Sequence, residues 1–249
     1  MRNAHDLGVT VIQMCNLKTV FEDNVLKIST SRNNKPESGI VLLAFTGIGR
    51  AMGGIDVQQP EFLGLGQDFD STLFITDKTR SWGNALNFGR ISQILRPYTR
   101  NKKIYSIGNS MGSFLSIIAS GHLPIRKSIS FAPQFSINPA EIPDETRWAK
   151  YTGRIINHSV TNIGDYISCT TKYYVFSGGD GPDRQHADLF PIGNNIFHYL
   201  FPRLGHDIAQ KLKEQGHLST IIHNCFAGKE TLNSSIPFQQ ISPQRQRNL

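Results

Sequence analysis

The residues best suited to chemistry lie in one short segment, where glycines stand two positions before and two positions after Ser110. The segment reads Gly108-Asn109-Ser110-Met111-Gly112 and joins an apolar run to a run of small and apolar residues. A serine in a tight turn between a strand and a helix projects its hydroxyl above the sheet. The glycines avoid side-chain collisions where strand and helix approach each other. We therefore predict Ser110 as a nucleophile, with the amide of Met111 donating to the oxyanion that forms on attack.

A serine hydroxyl becomes an effective nucleophile when a neighbouring base takes its proton. Of the eight histidines, His206 follows the last predicted strand after a short loop and directly precedes a predicted helix. The carboxyl ends of parallel strands share one edge of a sheet, so His206 is expected beside Ser110. His198 lies within a predicted strand and His122 at the far end of a predicted helix, which favours structural roles for both. We predict His206 as the base.

The orienting carboxylate is expected between serine and histidine in the chain, because that order accompanies this type of turn. Asp180 directly follows a predicted strand and is flanked by glycines that permit a sharp bend. Asp183 stands where the next helix begins and suits an N-cap. We predict Asp180 as the acid and keep Asp183 as the alternative. Three other aspartates are weaker candidates: Asp165, Asp188 and Asp207.

A second amide for the oxyanion is expected from the loop that follows the apolar run Gly39–Phe45. Ile48 is our choice, because glycines on both sides allow its peptide to turn inward. Thr46 and Gly47 remain alternatives.

The order of apolar segments alternates strands with helices, which predicts an α/β sheet of mostly parallel strands. The predicted strands are Val9–Cys15, Asn24–Thr30, Gly39–Phe45, Thr72–Thr76, Lys103–Ile107, Ser128–Phe131, Lys172–Ser177 and Asn195–Phe201. The predicted helices are Asn84–Leu95, ended by Pro97, Ser113–Ser120, ended by Gly121, Arg184–Phe190, Asp207–Gln215 and Leu218–Phe226. We expect residues 1–227 to form one domain with a small cap-like stretch at about 135–171. Residues 228–249 are expected to form a mobile or surface-bound tail.

The composition excludes several classes of protein. The 249 residues are 39% hydrophobic, which allows a buried core. The net charge is +7, but the positive residues are scattered and no basic run or RNA-binding motif accompanies them, so no nucleic-acid partner is expected. Three widely spaced cysteines indicate neither a zinc site nor a disulfide framework. We expect no metal, no cofactor and no membrane span, and a cytoplasmic location.

The serine turn, the Gly47–Gly49 loop, the acid loop at Asp180 and Gly205-His206 together resemble the α/β-hydrolase fold. This resemblance covers most of residues 39–226. It implies a mostly parallel sheet of about eight strands with helices on both faces, a small or absent cap, and an acyl-enzyme mechanism. The segment Ser130–Phe135, with Arg147-Trp148 downstream, is similar to bacterial hydrolase-like domains encoded near polysaccharide genes. Phe45-Thr46-Gly47 replaces the His-Gly often found in this family's oxyanion loop.

The function predicted from these residues is a serine hydrolase that cleaves an ester or thioester. Its expected substrate is a small acyl ester or an acylated sugar, and the oligomeric state is left open. An acyltransferase using the same residues is one alternative, and a catalytically silent binding domain is another. A dinucleotide-binding turn at Gly47-Ile48-Gly49 is disfavoured, because Met52 replaces the third glycine of that motif.

Overall fold

Strands and helices alternate along the chain in the computed structural model, which describes residues 17–32, 37–49, 58–65, 68–230, 232 and 234–241. The strands are Lys18–Glu22 (β1), Leu26–Arg32 (β2), Ile40–Phe45 (β3), Ser71–Asp77 (β4), Lys103–Asn109 (β5), Ile125–Phe131 (β6), Lys172–Gly178 (β7), Ile196–Phe201 (β8) and Gln239–Ile241 (β9). The α-helices are Phe88–Thr99 (α1), Met111–His122 (α2), Ala149–Thr152 (α3), Gly181–Asp188 (α4), Ile208–Glu214 (α5) and Leu218–Ala227 (α6).

All nine described strands join one sheet in the order β1-β2-β4-β3-β5-β6-β7-β8-β9. The six neighbouring strands β4, β3, β5, β6, β7 and β8 pair in parallel. Strands β1, β2 and β9 are antiparallel to their neighbours. A parallel sheet needs crossover connections, which here carry helices. The prediction of a mostly parallel sheet with helices on both faces is confirmed.

The core lies on both faces of the sheet. On one face, α1 and α2 pack through Ile91, Leu95, Phe114 and Ile118 against the alternate residues of the central strands. On the other face, α5 and α6 pack through residues such as Leu212. Strand β3 is buried along almost its whole length, as its uninterrupted apolar sequence predicts.

Three boundaries differ from the prediction for local reasons. Helix α1 begins only at Phe88, because the Asn87 side chain caps it by accepting the Arg90 amide. It continues through Pro97 to Thr99, since a proline in the last turn removes only one hydrogen bond. Helix α2 likewise continues past Gly121, the residue at which the sequence predicts its end.

The two ends of the sheet also differ from the prediction. The predicted strand Val9–Cys15 lies outside the described residues, and β1 comes from the next segment instead. Within the segment expected to be a tail, Gln239–Ile241 pairs with β8 as an antiparallel edge strand. None of the helices in the described part of the chain has the length and hydropathy of a membrane span.

The different burial of two isoleucines predicts that their substitution by alanine will change the free energy of unfolding by very different amounts. Ile118 is fully buried in α2, whereas Ile156 is 93% exposed. We expect Ile118→Ala to lower the free energy of unfolding by about 2–5 kcal/mol, because it leaves a cavity in the core. Ile156→Ala, the matched control, should change it by less than about 0.5 kcal/mol. Urea denaturation of both variants measures the difference, and equal losses would contradict this assignment of the core.

Candidate active site

Ser110 occupies a strained turn between β5 and α2. Its φ of 56° and ψ of −125° are unusual for a residue with a side chain. The turn is held by a hydrogen bond from the Ser110 amide to the Phe131 carbonyl at 2.9 Å. A β-carbon on Gly108 would lie 2.2 Å from the carbonyl of Gly112, and one on Gly112 would lie 2.2 Å from the Phe45 oxygen. Both glycines are therefore needed for the close approach of β5, α2 and the end of β3.

His206 reaches this turn from the loop that follows β8. Its Nε2 lies 2.8 Å from Ser110 Oγ, within hydrogen-bonding distance. The loop packs closely on the end of β7, where a β-carbon on Gly178 would lie 2.6 Å from the Gly205 oxygen. The indole of Trp148 covers the imidazole, with ring centroids 5.2 Å apart. The predicted pairing of serine and histidine is thus present in the structure.

The carboxylate beside His206 belongs to Asp183. Its Oδ1 lies 2.8 Å from His206 Nδ1, and its side chain is only 5% exposed. Helix α4 begins at Gly181, three residues earlier than predicted, which places Asp183 inside the first turn. Asp180 occupies the N-cap position, is exposed and makes no capping hydrogen bond. The preference for Asp180 as the residue that contacts His206 is therefore corrected to its alternative, Asp183.

Further charged side chains hold Asp183 in place. Arg147 Nη1 donates to Asp183 Oδ2 at 2.7 Å, and the same guanidinium pairs with Glu145. Glu145 in turn lies 3.2 Å from Nε2 of the buried His186. Burial would raise the pKa of Asp183, but hydrogen bonds from His206 and Arg147 outweigh it and lower the pKa to about 2. Asp183 therefore stays ionised beside the imidazole.

The loop after β3 is held by three side chains on successive peptide groups. Glu61 accepts the Gly47 amide at 3.1 Å, Gln58 donates to the Gly47 carbonyl at 2.9 Å, and Arg80 donates to the Ile48 carbonyl at 2.7 Å. The Gly47 carbonyl and the Ile48 amide share one planar trans peptide and point in opposite directions. Gln58 therefore directs the Ile48 amide away from itself.

The two amides predicted to bind an oxyanion have no hydrogen-bond acceptor within the described part of the chain. Neither Ile48 nor Met111 donates its amide hydrogen to an acceptor among the described residues. Met111 is the first residue of α2, where helix geometry leaves the amide unpaired. The serine turn and the loop after β3 lie close together, because a β-carbon on Gly112 would be 3.2 Å from the Gly47 nitrogen. Their arrangement is compatible with an oxyanion hole.

Gln134 is a polar residue of this site for which the sequence alone predicted no role. Its Nε2 donates to Ser110 Oγ at 3.1 Å, and its Oε1 accepts from Trp82 Nε1 at 3.3 Å. Its position three residues after the end of β6 was the available signal, because that edge of the sheet carries the other site residues.

A cavity of about 460 Å³ opens over the serine and histidine. A cavity of this size accommodates a small-molecule ligand. Its lining residues come from the β3 loop, the serine turn, the cap-like stretch and α5: Gly47, Ile48, Gly49, Glu61, Asn109, Ser110, Trp148, His206, Asp207, Ala209 and Gln210. In the described part of the chain, no group of three or more His, Cys, Asp and Glu side chains is placed to hold a metal ion.

Comparison with solved structures identifies the fold. The capsule O-acetyltransferase of Neisseria meningitidis serogroup A matches with a TM-score of 0.61 and 15% identity, over 86% of this chain and 98% of its own. The 2,6-dihydroxy-pseudo-oxynicotine hydrolase matches with a TM-score of 0.57 and 12% identity, over 88% and 70% of the two chains. A carboxyl esterase from Bacillus coagulans matches with a TM-score of 0.50 and 11% identity, over 87% and 99%.

These matches show that the chain has the α/β-hydrolase fold, as its sequence motifs predict. No family model and no curated protein sequence matches the chain. The likeness to the acetyltransferase extends over nearly that protein's whole length.

The two competing aspartates can be separated by substitution. We expect Asp183→Asn to lower ester turnover by about 10⁴-fold, because a neutral amide favours the wrong imidazole tautomer. Asp180→Asn is the matched control and should retain nearly wild-type turnover, since Asp180 contacts neither His206 nor Ser110. Steady-state rates with a p-nitrophenyl ester measure both. A larger loss in D180N than in D183N would contradict the role of Asp183.

Because the carboxyl of Glu61 is buried, we expect the free energy of unfolding to depend on pH. Burial raises the pKa of its carboxyl from 4.5 to about 7, and the hydrogen bond from Gly47 only partly opposes this. Between pH 4.5 and 7 the unfolded chain loses this proton first, so wild-type stability should fall as the pH rises through that window. E61Q should therefore gain stability relative to wild type between pH 4.5 and 7 and keep the gain above pH 7.

Urea denaturation across this pH range tests the prediction, with the same substitution at exposed Glu141 as the matched control. A stability difference between E61Q and wild type that does not change with pH would contradict it.

Proposed function

We propose that this protein is a serine hydrolase that cleaves an ester or thioester through an acyl-enzyme. The observation that carries the proposal is the continuous set of contacts from Asp183 through His206 to Ser110, with 2.8 Å at each step. Support also comes from the cavity above these residues and from the hydrolases and esterases that share the fold.

In the first half of the reaction, Ser110 Oγ attacks the carbonyl carbon while His206 Nε2 takes its proton. Asp183 keeps the other imidazole hydrogen on Nδ1 and stabilises the imidazolium that forms. The carbonyl electrons move to oxygen, where the amides of Met111 and Ile48 donate to the oxyanion. Collapse of this intermediate breaks the bond to the leaving group, which takes the proton from His206.

In the second half, an acceptor hydroxyl attacks the acyl-serine while His206 takes its proton. The oxyanion forms again and collapses, the bond between the acyl carbon and Ser110 Oγ breaks, and the proton returns to the serine. With water as the acceptor the product is a free acid. With an alcohol as the acceptor the acyl group is transferred instead.

Acyl transfer to a sugar hydroxyl is therefore a second candidate function. It is favoured by the likeness to the capsule O-acetyltransferase, which extends over 98% of that chain. Incubation with p-nitrophenyl acetate and an added sugar separates the two functions. Mass spectrometry showing mostly acetylated sugar would favour transfer, whereas mostly free acetate would favour hydrolysis.

The serine itself is tested by covalent labelling and turnover. We expect a fluorophosphonate probe to label the wild type, and Ser110→Ala to abolish labelling and to lower turnover of p-nitrophenyl esters on the order of 10⁴-fold or more. Ser219→Ala, on the exposed surface of α6, is the matched control and should behave like wild type. Wild-type turnover in S110A would refute the proposal, and an absence of labelling in the wild type would favour a silent domain.

A further inference from the structure

We propose that Gln134 is a further catalytic residue, whose side-chain amide stabilises negative charge on Ser110 Oγ when the acyl group leaves it. This inference rests on the proposed acyl-enzyme. It assigns a role to the segment Ser130–Phe135, which the triad mechanism leaves unexplained.

The orientation of the Gln134 amide is set by its two partners. Gln134 is completely buried, with Trp82 Nε1 at 3.3 Å on one side and Ser110 Oγ at 3.1 Å on the other. The indole nitrogen can only donate a hydrogen bond, so it requires the amide oxygen of Gln134. The amide nitrogen must then face the serine. Gln134 is therefore a donor to the nucleophilic oxygen.

The backbone before Gln134 is held in an uncommon conformation. Ala132 has a φ of 44°, in the left-handed region that favours glycine, and its amide donates to the Phe176 carbonyl at 2.8 Å. Pro133 follows and restricts the chain further. Such strain persists only where surrounding contacts hold it, and it is commonly found at functional sites. Here it turns the chain at the end of β6 so that Gln134 reaches Ser110.

The partner of Gln134 is held in the same way. Trp82 has a φ of 51° and is completely buried in the loop after β4. The Asp77 carboxylate organises this loop by accepting the amides of Ser81 at 2.8 Å and Gly83 at 3.3 Å. The indole donor is thereby fixed in place before any substrate binds, and it fixes Gln134 in turn.

The hydrogen bond matters at Ser110 Oγ because this oxygen changes its charge during the reaction. In the free enzyme the serine hydrogen is directed to His206, and a lone pair accepts from Gln134. In the acyl-enzyme, Oγ is an uncharged ester oxygen. When the acyl group leaves, the bond between carbon and Oγ breaks and its electron pair stays on Oγ, until His206 returns the proton. A donor at Oγ lowers the energy of that step.

Acylation benefits less from the same donor. As the serine attacks, its electron pair moves into the new bond to carbon, and the attraction between Oγ and the Gln134 amide weakens. An interaction accelerates a step only if it is stronger in the transition state than before it. Gln134 should therefore act mainly on deacylation. This asymmetry distinguishes a catalytic role from a merely structural one.

The test compares acylation and deacylation in Gln134→Met, which keeps a similar volume but has no amide donor. Stopped-flow spectroscopy with p-nitrophenyl acetate gives the acylation rate from the burst of p-nitrophenolate. The decay of the acetyl adduct, followed by intact-protein mass spectrometry, gives the deacylation rate. We expect deacylation to slow by about 10- to 100-fold, as for the loss of a hydrogen bond to a charged oxygen. Acylation should change by less than about threefold.

Two further variants keep the test conclusive if Q134M does not fold. Trp82→Phe retains the ring packing but removes the donor that orients Gln134, so deacylation should slow to a smaller extent than in Q134M. Gln93→Met, on the exposed side of α1, is the matched control. Near-ultraviolet circular dichroism establishes that each variant is folded.

The outcomes separate the two proposals. Slower deacylation with nearly unchanged acylation in a folded variant supports the role of Gln134. Unchanged deacylation, or an equal loss in both steps, overturns it while leaving the acyl-enzyme intact. If the wild type never forms an adduct on Ser110 and resists the fluorophosphonate probe, the proposed function itself fails.

Discussion

The site depends on the common edge at which the parallel strands end. Strand β3 pairs with β5 at Phe45 and Gly108, and β6 pairs with β7 at Phe131 and Phe176, so their carboxyl ends lie level. Parallel pairing forces each following segment to leave from that edge. Residues almost a hundred positions apart, such as Ser110 and His206, therefore meet. Any shift in register between these strands would separate them.

The loop after β4 provides a second layer of support. The buried carboxylate of Asp77 accepts hydrogen bonds from Thr79, Ser81 and Gly83, and these contacts replace the regular pairing that the loop lacks.

Arg80 and Trp82 project from this loop in left-handed conformations. One holds the carbonyl of Ile48, and the other holds Gln134. A single buried carboxylate thus organises the loop that holds both the Ile48 peptide and Gln134.

The cap-like stretch contributes to the site although little of it is regular structure. Arg147 binds Asp183, and its guanidinium lies 5.4 Å from the centre of the Trp148 ring, which in turn covers His206. Together with His206, the arginine keeps the pKa of Asp183 low, and the indole lines the cavity. The stretch is short, but it contacts both the carboxylate and the imidazole.

The amino-acid sequence alone determined the fold and two of the three central side chains. Glycines on either side of Ser110 are required wherever a strand and a helix approach so closely, and His206 follows the last parallel strand. Both signals are local, since they depend on the residue types that one turn tolerates. The α/β alternation is likewise visible in the order of the apolar segments.

Only the tertiary structure decided which aspartate lies beside His206 and which residues surround Ser110. Helix α4 begins at Gly181 and not at Arg184, so Asp180 is the N-cap residue, whereas Asp183 lies in the first turn and contacts His206. Helix boundaries are uncertain by a residue or two from local sequence, so the sequence favoured Asp180, whereas Asp183 is the aspartate that contacts His206. Gln134, Gln58 and Arg147 contact segments that are distant in the sequence. Only the position of Gln134, close to the end of β6, was a signal before the chain folds, and it does not say which residue Gln134 contacts.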